Sequence, residues 1–376
     1  MKLFKVLTGI MLAVFMLAGS AQAQIKIGVY LPLTGQNAFG GQLELDGVNL
    51  AHKQMPEVLG QKIDLVVMDN KSDKMEAANA VKRLIDRDKV AAIIGTYGSS
   101  LAMAGGEVAE LAKIPVVGTS CTNPLVTQGK VYYFRACFID PYQGAGAATY
   151  AIKDLGAKKA AILKEVSNDY AVGLASFFNR SFKKLGGEVV ANLNYNADDK
   201  DFTAQLTEII SKKPEVLFIP AYFAEGAIIM KQARELGATF RIMGGDAMDN
   251  PETVTIGGSA VEGFLHTTFP YDMTMPDMNE TAKKFTENWK AAYPDKEPNV
   301  NAALGYTCYM MFIKALEVAG SDDREKVTAA LAGLKDFPAV TGMLTINETH
   351  DAEMPIGVIE IKGGKRVYLG EVIPEM

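Results

Sequence analysis

The chain has 376 residues, long enough for two domains with sizeable cores and too long for one small module. With 48% apolar and 22% charged residues it is neither disordered nor fibrous, and its net charge of −6 lacks the basic balance a phosphate-tracking protein needs. Nucleic acid is therefore not an expected partner.

Taken in chain order, the first element is a targeting segment. Lys2 and Lys5 precede an apolar run from Val6 to Ala18, and Ala21 and Ala23 supply the small residues a signal peptidase accepts before Gln24. The run is too short to span a hydrocarbon core of ~30 Å, and no later stretch reaches the ~18 consecutive apolar residues of a span. The sequence thus predicts residues 1–23 as a signal peptide, followed by an exported, soluble, periplasmic protein with no direct membrane insertion.

From Gln24 onward short β-branched runs alternate with helical stretches, the pattern of parallel sheets covered by helices. Ile25–Leu31, Ile63–Asp69, Val90–Gly95 and Ile114–Gly118 form one strand series. Ala160–Lys164, Glu188–Leu193, Val216–Pro220, Arg241–Gly244 and Glu262–Thr267 form a second. Between them, Lys74–Asp88 sets Ala77, Val81, Leu84 and Ile85 on one helical face, with Asp73 and Glu76 as a capping-box-like start. Ala171–Leu185 and Glu225–Leu236 are predicted helices, the latter ended by Gly237. After Pro270 the texture changes to helices over Asp277–Ala292, Val300–Ala319 and Arg324–Leu334, then strands over Gly342–Ile346 and Pro355–Ile361. The prediction is an α/β chain with two Rossmann-like lobes.

Enzymatic motifs are missing. His52, His266 and His350 form no H-E-x-x-H, and there is no phosphate-binding P-loop or nucleophile elbow. Gly144 and Gly146 are read as helix-packing residues, because Thr149 stands at the third glycine position of a dinucleotide loop. Cys121, Cys137 and Cys308 are too few and too scattered for a metal site, and a Cys121–Cys137 bridge stays an open alternative to three buried thiols. No catalytic residue, metal or cofactor is implied.

Two Gly/Ser/Thr-rich loops lie at strand ends, where open α/β sheets bind ligands. In Gly95–Ser100, Ser99 either only caps the helix that follows or offers its N–H and hydroxyl, with the positive end of the helix dipole, to a carboxylate. In Gly118–Pro124, hydroxyls and free carbonyls stand together, as an ordinary turn or as the ammonium half of a zwitterion site.

Five motifs recur in order: I-G-V-Y-L-P-L-T-G-Q-N-A-F-G-G at Ile27–Gly41, I-G-T-Y-G-S-S at Ile94–Ser100, V-V-G-T-S-C-T-N-P at Val116–Pro124, F-R-A-C-F-I-D at Phe134–Asp140, and Asn168-Asp169-Tyr170 with Gly173. Together they resemble the periplasmic leucine/isoleucine/valine-binding protein family, the substrate-binding subunits of ABC importers with the type I periplasmic-binding fold. The resemblance implies two lobes joined by a three-stranded hinge: 24–140 with 271–341, and 141–270 with 342–376. It implies that Ser99 binds the ligand carboxylate, that Thr122 contacts carboxylate and ammonium, and that the Ser120 carbonyl accepts from the ammonium. Tyr170 would close over the ligand, Tyr222 would form part of the second lobe's wall, and Asp246 would pair the ammonium where the family usually has glutamate.

The side-chain pocket departs from the aliphatic pattern. Tyr97 stands where a leucine-like residue is usual, Asn301 replaces an aromatic, and Gly40 replaces a frequent tyrosine, with Phe39 as a substitute one residue away. A buried Asn left unpaired by an aliphatic ligand costs ~1–3 kcal/mol, so a polar or aromatic amino acid, or an amide, fits as well as leucine. The expected protein is a monomeric, non-enzymatic binder of an amino acid or amide that presents its closed form to the transmembrane subunits of an ABC permease. A soluble sensor of the same fold is the first alternative and a hydrolase or amidase the second.

Overall fold

The computed structural model describes residues 24–375, so the predicted signal peptide lies outside the described residues. The chain begins with β1 (Gln24–Leu31), α1 (Ala38–Gln54), β2 (Glu57–Val58), β3 (Gln61–Asp69), α2 (Lys74–Asp86), β4 (Ala92–Ile94), α3 (Ser99–Leu111), β5 (Val116–Gly118) and β6 (Tyr133–Arg135). Their strands form one sheet in the order β2-β3-β1-β4-β5-β6, parallel except for β2. Ile25, Ile27, Val29 and Leu31 on one face of β1 and Gly28 and Tyr30 on the other are buried, as expected for an inner strand covered on both faces.

The second series is α4 (Asp140–Lys153), β7 (Lys159–Glu165), α5 (Asp169–Lys184), β8 (Glu188–Tyr195), α6 (Thr203–Ser211), β9 (Val216–Ile219), α7 (Phe223–Glu235), β10 (Arg241–Gly244), α8 (Pro251–Gly257) and β11 (Leu265–Thr268). The chain then returns to the first lobe with α9 (Glu280–Ala292), α10 (Val300–Ala319) and α11 (Arg324–Ala332). There follow β12 (Phe337–Ala339), β13 (Gly342–Ile346) and β14 (Ala352–Glu353), and finally β15 (Ile356–Lys362) and β16 (Lys365–Val372). The second sheet runs β16-β15-β11-β10-β9-β7-β8, with β15 and β16 antiparallel at its edge. The chain thus crosses between lobes three times, after β6, β11 and β14. This is the predicted two-lobed α/β architecture.

Local physics accounts for the helices. Asp73 caps α2 by accepting from the Glu76 N–H at 2.9 Å, and Asn168 caps α5 by accepting from Tyr170 and Ala171. Phe178 and Phe182, one turn apart on α5, stack at 5.4 Å, and Phe178 stacks on Phe218 of the sheet at 4.1 Å. Gly144 does serve helix packing: a Cβ there would lie 2.7 Å from Phe177 Cβ of α5.

The expected start of the final second-lobe segment at Gly342 is corrected by strand pairing. Gly342–Ile346 pairs with β12 and β14 in a separate three-stranded antiparallel sheet, and its buried Leu344 and Ile346 join the same core as Leu334. The strand that enters the second sheet is Ile356–Lys362.

Candidate functional site

The site lies at the carboxyl ends of both sheets. After β4 the chain reaches Gly98, whose φ of +99° suits glycine and whose added Cβ would lie 2.8 Å from the Tyr222 hydroxyl. The helix starts at Ser99 with Gly98 as its N-cap, so Ser99 does not cap its own helix with its side chain. Its buried Oγ instead accepts from the Asn123 N–H at 3.1 Å, joining the two loops. Ser99 N–H, in the first turn, has no intrahelical acceptor and stands at the positive end of α3.

In the second loop, the Ser120 carbonyl already accepts from the Gly98 N–H at 3.0 Å, which leaves one lone pair for a ligand. Thr122 is buried, and its carbonyl accepts from the Asp140 N–H at 2.8 Å. Arg135, fully buried, holds this loop from behind. Its Nη1 donates to the carbonyls of Cys121 (2.6 Å) and Asn123 (2.9 Å), its Nη2 to Thr127 Oγ1 (2.6 Å), and its Nε pairs with Asp351 at 2.7 Å.

From the second lobe come Tyr170 and Asp246. Asp246 Oδ1 accepts from Gln143 Nε2 at 2.6 Å and from the Tyr170 hydroxyl at 3.0 Å. Burial outweighs these bonds and pushes its pKa up to about 6. The Tyr97 hydroxyl donates across the cleft to the Ala247 carbonyl at 3.2 Å. Tyr97 and Tyr170 flank Tyr222, with ring centroids 5.5 and 5.6 Å from it. Three tyrosines therefore form one row from lobe to lobe, and Tyr97, Tyr170, Tyr222, Ser99, Ser120, Thr122 and Asp246 are gathered around one cleft.

Two expected pocket residues stand otherwise. Phe39 is 40% exposed and meets Phe223 edge-on at 6.4 Å, so it contacts the opposite lobe at the rim. The space over Gly40 is filled by Tyr97, whose ring would lie 2.7 Å from a Cβ at that position. Asn301 is buried, but its Nδ2 donates to the Asp249 carbonyl at 3.1 Å. Its amide is thus not left unpaired by an aliphatic ligand, and the argument against leucine from that residue falls away. The Cys121–Cys137 bridge is not formed; all three cysteines are buried free thiols.

Sequence reasoning missed Asp140, Gln143 and Glu44. Asp140 is fully buried, and no group meets its carboxyl oxygens in good hydrogen-bond geometry, the looser approach of Thr122 apart. Burial, then the Asp246 carboxylate, raises its pKa well above the usual range, against a smaller opposing pull from Thr122. Its signal in the sequence is an acid ending the short apolar run Ala136–Ile139. Further bonds bridge the lobes at the rim: Asp169 Oδ2 receives Lys74 Nζ at 2.9 Å and Ser100 Oγ at 2.8 Å, and its carbonyl receives Asn123 Nδ2 at 2.8 Å. The lobes are therefore closed on one another.

Two lobes, three crossings and a polar cleft at their strand ends define a hinged small-molecule-binding protein. A family profile described as periplasmic binding protein matches residues 24–365, and the chain belongs to that family. It is 43% identical to the leucine-binding protein LivK of Thermotoga maritima, with a TM-score of 0.90 over 93% of this chain and 99% of that one. It is 30% identical to the Leu/Ile/Val-binding protein BraC3 of Rhizobium johnstonii over 92% of this chain and 94% of BraC3. A solute-binding protein of an R. palustris ABC transporter, solved with benzoate, is 25% identical, with a TM-score of 0.85 over 94% of this chain and 98% of that one. Among the described residues no helix is long and apolar enough to cross a membrane.

Proposed function

We propose that this protein is the substrate-binding subunit of an ABC importer and that it captures an amino acid as a zwitterion between its lobes. The reading rests on one observation above all. Asp140 and Asp246 are two interacting buried carboxyls with no ion-pair partner among the described residues, and only a loose approach of Thr122 meets the Asp140 carboxyl. An isolated buried carboxylate is expensive, and a ligand ammonium resolves the cost for both. The Ser99 N–H and hydroxyl take the carboxylate. Thr122 and the remaining lone pair of Ser120 bind beside the ammonium, and Tyr170 and Tyr222 close over the ligand from the second lobe.

An aromatic acid such as benzoate, the ligand of the R. palustris relative, carries no cation to meet these acids. The tyrosine row offers aromatic faces to an apolar side chain, and Asn301 is already satisfied, so a Leu-like or aromatic amino acid fits best. Closure is a hinge motion that the ligand favours by bridging the lobes, and the permease recognises the closed state. We assign 24–140 and 271–353 to one lobe and 141–270 with 354–375 to the other. Export through the 1–23 signal segment and action as a periplasmic monomer complete the proposal.

The test is a thermal-shift panel of the twenty L-amino acids, small amides and benzoate. At one hundred times its dissociation constant a matching amino acid stabilises the fold by about 2.7 kcal/mol. Stabilisation by benzoate and by no amino acid would contradict the proposal. The chemistry also sets a pH dependence. Ammonium capture needs ionised Asp246, whose pKa of about 6 is raised by burial. Affinity should therefore fall as pH drops through that value, by about tenfold between pH 7.5 and 5, and calorimetric titration should register proton release in that range.

A further inference from the structure

Glu44 lies on α1, behind the loop that supplies Ser120 and Thr122, and its side chain is completely buried. Its Oε2 accepts from Thr119 Oγ1 at 2.7 Å, and its Oε1 is bonded to Ser120 Oγ. These are consecutive hydroxyls of the loop that also supplies Thr122. We propose that Glu44 is a positioning residue, which fixes this loop so that the Ser120 carbonyl and Thr122 face the ligand; the inference rests on the zwitterion reading above.

The helix that carries Glu44 is itself locked. A Cβ on Gly305 of α10 would lie 2.1 Å from the Glu44 carbonyl oxygen, and one on Gly47 would lie 1.9 Å from the Ala302 carbonyl oxygen. The two helices touch backbone to backbone, so α1 holds the carboxyl at a fixed depth beneath the loop. A carboxyl that binds two adjacent hydroxyls restrains both side chains and the peptide between them. From there the restraint passes on: the Ser120 carbonyl takes the Gly98 N–H, and Gly98 is the N-cap that presents Ser99. One side chain thereby orients both loops of the site.

Both hydroxyls donate to the carboxyl, one to each oxygen, and either can turn to accept when the acid is protonated. Burial pushes the Glu44 pKa up to about 8 despite the opposing hydroxyl bonds. An apolar side chain would fill the same space without the cost of burying an acid, so a purely space-filling role predicts that Glu44→Met is harmless.

The experiment compares wild type with Glu44→Met, Glu44→Gln and Glu44→Asp in the full mature chain. The readouts are hydrogen exchange of the ligand-free protein, urea midpoint, and calorimetric affinity for L-leucine, or for the L-amino acid of the panel that binds if leucine does not. Glu44→Met should raise amide exchange in 98–100 and 119–123 by about tenfold and weaken binding by about tenfold, while exchange in the second sheet stays at wild-type rates. Glu44→Gln, which keeps a donor and an acceptor, should restore most of the protection and affinity; Glu44→Asp, one methylene short, should lie between. Wild-type exchange and affinity in Glu44→Met would overturn the proposal. If Glu44→Met does not fold, the ordering of Gln above Asp decides, and equal loss in both overturns it. If wild type binds no amino acid, the zwitterion reading fails while the exchange data still judge Glu44.

Discussion

Asp246→Ala is expected to weaken amino-acid binding by about 2–5 kcal/mol, roughly thirty- to several-thousand-fold, while the protein stays folded. In the closed protein Asp246 is buried with its Oδ1 already committed to Gln143 and Tyr170, so Oδ2 is the atom that remains for the ammonium. Removing the anion leaves the ligand's positive charge facing Asp140 alone, in a place water does not reach. Closure weakens as well, because Asp246 belongs to the second lobe and the carboxylate-binding Ser99 to the first. Asp246→Asn separates the two contributions: the shape and the Tyr170 contact survive, the charge does not. Calorimetric titration of both variants against wild type checks the effect, and a loss below about 1 kcal/mol in Asp246→Ala would mean that the amine is held elsewhere.

Arg135→Met is expected to be the most destabilising substitution considered, costing about 3–5 kcal/mol of folding free energy. The guanidinium is fully buried, bonds three carbonyls and one hydroxyl of the 121–127 segment, and pairs with Asp351. Methionine fills the volume but leaves the Asp351 charge and those carbonyls without their cation. The Thr127 and Thr349 hydroxyls still bond Asp351 and soften the loss. Urea denaturation measures it; a shift under about 1 kcal/mol would show that the loop is held by other means. Asp351 stands just before β14, from which the third crossing leaves, so the same substitution also loosens the link between the ligand loop and the hinge.

Much of this was legible because the deciding signals are local. The β-branched runs of the two sheets and the Asp73 cap are settled by neighbours within a turn or a strand. Ser99 and Thr122 are visible as polar residues in strand-end loops, where a doubly wound sheet leaves its ligand crevice, whereas Asp246 enters through the family resemblance. What escaped depends on contacts between distant segments. Gly342–Ile346 has a sound strand pattern, but only its partners, Phe337–Ala339 and Ala352–Glu353, decide which sheet it joins. Tyr97 over Gly40 joins residues from two loops, and the Asn301 amide finds its acceptor at Asp249 in the other lobe. Glu44 looks in sequence like one acid of an ordinary amphipathic helix. Its clue is Gly47, one turn on along the same helical face, the mark of a face pressed against another backbone.

The measurement that bears most directly on the zwitterion site is a paired calorimetric titration of the wild-type protein. One arm uses the amino acid with the largest thermal shift; the other uses its des-amino analogue, the same acid without the amine. With Asp140 and Asp246 waiting for a cation, the amino acid should bind at least a hundredfold more tightly, about 2.7 kcal/mol. Equal affinity for the two compounds would mean that no ammonium is recognised there, and the account of this cleft as an amino-acid site would be wrong.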